Sequence, residues 1–263
     1  LLGARRQDWR MMFWIAAIPS AFQLIALFFF PESPKWLLAK KEAMPLIKEQ
    51  PGGKLFSSRY LFLILIGFVL SAFQQLSGIN AVVYFAPKIF AEAGFSNAQD
   101  ALFATLLIGI VNVISTLITL FLIDRYGRRP LLLISQSGVV ATLLVLILSF
   151  ALKSPFIAVL TLIAYVFLYS LGLGPIVWVL IAEIYPLQVR AKALAFCTFI
   201  SWLTNYLIVL SFPSLVFSLG TPWTFSVYGA LSLMALLFYL RYIPETKGKS
   251  LEELEKSFKK SSA

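Results

Sequence analysis

Phe73-Gln74-Gln75-Leu76-Ser77-Gly78-Ile79-Asn80-Ala81-Val82-Val83-Tyr84 is a polar island inside one of the longest apolar runs of the chain. Three carboxamides in a stretch of membrane-spanning length need partners, because an unpaired amide in hydrocarbon costs roughly 2–7 kcal/mol depending on the reference state. Such groups face a cavity or another helix. A carboxamide donates and accepts without carrying charge, which matches a hydroxyl-rich ligand such as a sugar. On an unbroken helix at about 100° per residue, Gln74 and Asn80 would stand roughly 120° apart and could not converge on one ligand. Gly78, with Ser77 beside it and Pro87 further on, therefore predicts a bent or unwound span, and discontinuous helices are where secondary transporters hold substrate. The competing reading is that the amides bond helix to helix.

Composition sets the frame around that stretch. The 263 residues are 60% hydrophobic and 13% charged, with a mean hydropathy of +0.87. These values exclude a soluble domain and point to a polytopic helical membrane protein. The net charge of +10 is dispersed between apolar runs rather than gathered on one face, so nucleic acid is not an expected partner. With no His and one Cys, Cys197, the chain cannot build an internal disulfide, a thiolate zinc site or a histidine triad. No cofactor, metal site or enzymatic chemistry is expected. The sequence starts at Leu1 without a signal-peptide pattern, which reads as a start inside a larger protein.

Apolar runs predict about seven helices, over 11–30, 61–90, 101–123, 131–151, 155–181, 193–217 and 223–243. If the segment after the first is cytoplasmic, 17 of the 22 Lys and Arg residues lie inside. The other five are Arg5, Arg6, Arg10, Lys88 and Lys153. That places the C-terminus in the cytoplasm. Pro31-Glu32-Ser33-Pro34-Lys35 after the first helix and Pro244-Glu245-Thr246-Lys247-Gly248 after the last mark equivalent exits, which suggests two duplicated halves. Asp124-Arg125-Tyr126-Gly127-Arg128-Arg129-Pro130 forms a very short connection between spans. Gly174-Pro175-Ile176-Val177-Trp178, Ala182-Glu183-Ile184-Tyr185-Pro186 with Arg190, and Ser201-Trp202-Leu203-Thr204-Asn205 complete the set.

Taken in order, these motifs resemble the sugar porter family of the major facilitator superfamily, from its sixth helix to its last. The resemblance implies an all-α transmembrane bundle, the C-terminal half of a major facilitator fold. The implied parts are residues 1–30 as the last helix of the first half, 31–60 as a shortened linker, 61–243 as a six-helix bundle and 244–263 as a cytoplasmic tail. A serine cap and acidic first turn at Ser250-Leu251-Glu252-Glu253 predict a short helix in that tail. Leu120 stands where the family loop has Gly, so packing there is expected to differ.

The sugar site carried over by the resemblance is Gln74, Gln75, Asn80, Tyr84, Asn112, Gly174, Trp178, Trp202 and Asn205. Trp178 follows a Gly-x-Gly-Pro run and would stack on a sugar's C–H face, with interfacial packing as its bland alternative. Asn112 reads equally as a helix bridge. Ser201 replaces an amide that relatives often carry and would reach less far. At the helix exits Asp124, Arg128, Arg129, Glu183 and Arg190, with Glu32 and Glu245, form an expected ion-pair gate, since topology explains the arginines but not the carboxylates. The expected function is alternating-access transport of a monosaccharide or polyol, as symporter or uniporter, by a partial transporter that needs its N-terminal half. The expected setting is a plasma or bacterial inner membrane. A non-transporting sugar sensor or an inert fragment is the alternative.

Overall fold

The computed structural model describes residues 8–31, 55–92 and 98–248. Helix α1, Asp8–Phe29, carries Pro19 and belongs to a unit of its own, Leu1–Gly52, so it is described by itself. Everything from Gly53 onward forms the second unit.

Within that unit the polar island breaks its helix as its sequence demands. α2, Leu61–Leu76, ends at Ser77, and α3, Ile79–Glu92, begins after Gly78. Gly78 has φ +86°, a left-handed value at which a side chain is strained. A Cβ there would also stand 2.6 Å from the Tyr228 ring. The carbonyl freed by the break is not wasted, since Ser77 O accepts from the Tyr165 hydroxyl at 2.9 Å.

α4, Ala98–Tyr126, passes through Gly127 at φ +90° into α5, Arg128–Ala151. α6, Pro155–Leu168, runs into a π-helical turn, Tyr169–Leu173, and continues as α7, Gly174–Ile184. α8, Leu187–Leu219, contains Pro213, and Gly220 at φ +83° turns the chain into α9, Thr221–Tyr242. Six of these helical stretches are long and apolar enough to cross a membrane, and no strand occurs among the described residues. They reach a few residues past the apolar runs, as Ala98–Tyr126 and Leu187–Leu219 do, because polar ends still form helix once the apolar middle is packed. Glu32, the 31–54 part of the linker apart from Pro31, and the tail helix from Ser250 lie outside the described residues.

The bundle is apolar outside as well as inside. Its core is knit by Leu132, Leu143, Val166, Leu180, Phe225 and Tyr228, while Phe121, Phe156 and Phe217 point outward. Phe85 stacks on Phe212 at 4.9 Å, and Phe212 lies over Tyr228, which locks α3, α8 and α9 together. The Thr221 hydroxyl donates to Glu92, tying the far end of α3 to the start of α9. Leu120, which stands where the family loop has glycine, is exposed and lies outside the packed core.

Candidate functional site

Two polar clusters lie on the breaks and ends just described. The first is at the α2–α3 break. Asn80 Nδ2 donates to Gln75 Oε1 at 2.7 Å, and Gln75 Nε2 donates on to Ser201 Oγ of α8 at 2.9 Å. Unwinding at Gly78 is what lets residues five apart meet. Gln75 and Asn80 keep partial exposure, so the amide chain borders open space and not only protein.

Gln74 turns the other way. Its side chain is buried, and Nε2 donates to Leu173 O at 3.1 Å and Gly174 O at 2.8 Å. These carbonyls lie where the π turn passes into α7, and the turn's widened ring breaks the regular ladder just before them. Other side chains catch the remaining ones. Thr119 Oγ1 donates to Ser170 O and Leu171 O, and Ser135 Oγ donates to Leu168 O at 2.7 Å while accepting from Leu173 N at 2.8 Å. Gln74 Oε1 and Asn205 Oδ1 are buried acceptors with no hydrogen bond among the described residues. An unmet buried acceptor costs about 1–3 kcal/mol, so both favour any state in which a donor reaches them.

Trp178 is half-buried against the core, one turn after Gly174. Tyr84 and Trp202 are exposed at 54% and 64%. Asn112 is half-buried, and its backbone carbonyl accepts from Ser115 and Thr116. Gln74 and Gln75 therefore both bridge helices in this structure, Gln74 to the α6–α7 break and Gln75 to Ser201 of α8, and Gln75, Asn80 and Ser201 form a connected, partly exposed polar edge.

The second cluster closes one end of the bundle. Arg128, the first residue of α5, points Nε and Nη2 at Glu183 Oε1, at 3.1 and 3.0 Å. Glu183 Oε2 accepts from Thr246 Oγ1 at 2.6 Å. Arg128 also reaches Asp124 at 3.5 Å, a loose pair because Asp124 is 81% exposed. Arg190 differs from its expected place, since its Nε donates to the Tyr185 carbonyl at 3.0 Å and its guanidinium meets no carboxylate among the described residues. Pro186 breaks the chain between α7 and α8, and that free carbonyl is the nearer acceptor.

Glu245 caps α5 from across the sequence. Its carboxylate accepts the backbone N–H groups of Arg128, Arg129, Thr246 and Lys247 at 2.8–3.1 Å. Gly127 precedes α5 and has no side chain to cap it, and a Cβ there would stand 2.7 Å from Glu245 Oε2. Burial alone would raise the Glu245 pKa, but the four donors outweigh it and hold the carboxyl below its ordinary 4.5. A folded value below the unfolded one stabilises above the unfolded value, and the gain is lost as pH falls through the folded one. Thermal stability should therefore drop on acidification below about pH 4.5, and Glu245→Gln should flatten that part of the profile while lowering stability at neutral pH. An unchanged acid limb in the variant would contradict the cap.

The family model described as "Sugar (and other) transporter" matches residues 2–49 and 42–258. The chain belongs to the sugar transporter family. It is 35% identical over 97% of its length to the "Probable metabolite transport protein CsbC" of Bacillus subtilis, covering 62% of that protein. It is 34% identical over 94% of its length to the "D-xylose-proton symporter" of Escherichia coli, covering 56% of it. Its structure is similar to that of the major facilitator superfamily proton:xylose symporter XylE bound to 6-bromo-6-deoxy-D-glucose. That match has a TM-score of 0.77 and 32% identity, over 95% of this chain and 59% of the other. The chain thus spans a little over half the length of these relatives.

The family assignment makes this a multi-pass membrane protein of the major facilitator fold. Sequence reading missed several residues that hold the site together: Thr119, Ser135 and Tyr165, which catch freed carbonyls, and Thr246, which completes Glu183. Each is a lone hydroxyl in or beside an apolar run, and only the fold shows which carbonyl it serves. Gln136, buried with its Nε2 on Ser232 O at 2.7 Å, is a further amide that no motif signalled.

Proposed function

We propose that residues 61–243 form the C-terminal bundle of an alternating-access carrier for a monosaccharide or polyol. In this reading 1–30 is the last helix of the preceding half, 31–60 a short linker and 244–263 a cytoplasmic tail. The observation that carries the reading is the Asn80–Gln75–Ser201 chain at a broken helix, set on a member of the sugar transporter family. Neutral amides match hydroxyls that both donate and accept, and they ask for no counter-charge in a low-dielectric site. Trp178 supplies an apolar face to a sugar ring, and Tyr84, Asn112, Gly174, Trp202 and Asn205 extend the surface. Gln74 supports the site from behind by fixing the α6–α7 break. The carrier is non-enzymatic and works by rocking two bundles about the bound substrate.

The excess of Lys and Arg at the Arg128 end assigns that end to the cytoplasm. There the Arg128–Glu183–Thr246 contacts and the Glu245 cap tie α5, α7 and the segment after α9 when the end is closed, and they loosen as it opens. Uptake by the complete protein in proteoliposomes, over a panel of pentoses, hexoses and polyols, tests the proposal. Saturable uptake of at least one is expected. Saturable binding without uptake would replace the carrier with a sensor, and neither binding nor uptake would remove the sugar reading.

A further inference from the structure

The same end of the bundle carries several cations that no carboxylate among the described residues neutralises. Both ion pairs among the described residues, to Asp124 and Glu183, belong to Arg128, so Arg125, Arg129, Arg241 and Lys247 have none there. Glu245 is close by, but its oxygens are taken up by backbone N–H groups. Hydrogen bonds join the four into one corner. Lys247 Nζ donates to the Arg125 carbonyl at 3.0 Å, and Arg129 Nη2 donates to the carbonyl of Leu240, the residue before Arg241, at 2.9 Å.

The surface beside the charges is apolar. One helical turn inward from Arg125 is Phe121, exposed at 79%, and one turn inward from Arg241 is Leu237, exposed at 59%. Arg125 and Arg241 each lie over the ring of the next residue, Tyr126 and Tyr242, at 5.5 and 5.9 Å. At the end of each of α4 and α9 an aromatic and a cation give way, one turn inward, to bare hydrocarbon, which is the polarity profile of a membrane leaflet from headgroup to acyl chain.

We propose that this corner binds the headgroup of an anionic phospholipid, with its acyl chains along the Phe121 and Leu237 faces. A soluble phosphate would use the charges but not the hydrocarbon beneath them. The site stands whether or not the substrate is a sugar.

The test is lipid retention by the complete protein, read by native mass spectrometry after exchange between phosphatidylcholine and phosphatidylglycerol. Preferential retention of phosphatidylglycerol is expected, falling by more than about fivefold in the double variant Arg125→Gln/Arg241→Gln. Both side chains are exposed, and among the described residues each makes only its tyrosine contact, so the variant should keep its melting temperature in phosphatidylcholine. Arg125→Lys/Arg241→Lys should keep the preference, which separates charge from any loss of fold. Lys153→Gln, at the opposite end of α5, should also leave it unchanged. Equal retention of the two lipids by the wild type, or an undiminished preference in the glutamine variant, would overturn the site. Displacement of the lipid by inorganic phosphate alone would assign the corner to a soluble anion and overturn the lipid.

Discussion

Gly172→Ala is expected to give a large loss of stability for a single added methyl. The new Cβ would stand 2.5 Å from Ser135 Cβ and 2.6 Å from the backbone oxygen of Leu131. A flexible side chain could swing away, but a backbone carbonyl of α5 moves only with its helix. Overpacking of this kind costs about 1–3 kcal/mol and sometimes more, and here it falls on the turn where α6 gives way to α7. Separating α5 from the π turn would also break the Ser135 bridge, which accepts from Leu173 N and donates to Leu168 O. A melting temperature measured in detergent should fall by many degrees. Gly109→Ala is the control, since nothing lies within 4 Å of its added Cβ. Equal effects from the two substitutions would show that the close approach at Gly172 is not what holds these helices.

Arg128→Ala should also have a large effect, and on conformation as well as stability. It strands Glu183 Oε1, leaving that carboxylate with only Thr246 on its other oxygen. Breaking a buried pair from one side costs about 3–5 kcal/mol. Arg128 and Glu183 keep 17% and 31% of their side-chain exposure, so water offsets part of that, and about 1–3 kcal/mol is the expected loss. Arg128→Lys should recover little, because one ammonium cannot present two N–H groups to Oε1 while also reaching the Ile123 carbonyl. In the complete protein the alanine variant should expose the Arg128 end to cysteine-directed labelling more often than the wild type does. Unchanged labelling together with unchanged stability would return these charges to a purely topological role.

The break at Gly78 was legible because its cause is local. Three amides in an apolar span must be satisfied, and a glycine beside them shows where the helix yields. The second break was legible only in part. Gly174-Pro175 marks the region, but Pro175 sits in the first turn of α7, where its missing N–H costs nothing. The irregular stretch is the turn before it, Tyr169–Leu173. Its position is set by Thr119, Ser135 and Gln74 on three other helices, which no local pattern announces.

The ends of the bundle show the same division. Pro244-Glu245 could be read as a helix exit with a carboxylate seeking partners. That Glu245 caps α5, more than a hundred residues earlier in sequence, depends on a glycine at 127 meeting a tail at 245. Arg190 was legible as a cation at a helix exit seeking a carboxylate, but not as the partner of the Tyr185 carbonyl, which lies at the Pro186 break between α7 and α8. Gln74 and Gln75 are adjacent and chemically identical, yet one faces the bundle and the other its open edge. Their roles diverge through burial, which the alternation of the sequence did not disclose.

The central claim is that Asn80 and Gln75 present their amides to a sugar. Equilibrium binding to the complete protein, followed by the fluorescence of its tryptophans with Trp178 beside the site, tests it most directly. Each lost hydrogen bond is worth about 0.5–1.5 kcal/mol, more where a buried partner is stranded, and Asn80→Ala also releases Gln75 Oε1. The account predicts a saturable signal with a transported sugar and an affinity weakened about tenfold in Asn80→Ala, with membrane insertion and melting temperature preserved. Wild-type affinity in both Asn80→Ala and Gln75→Ala would contradict it.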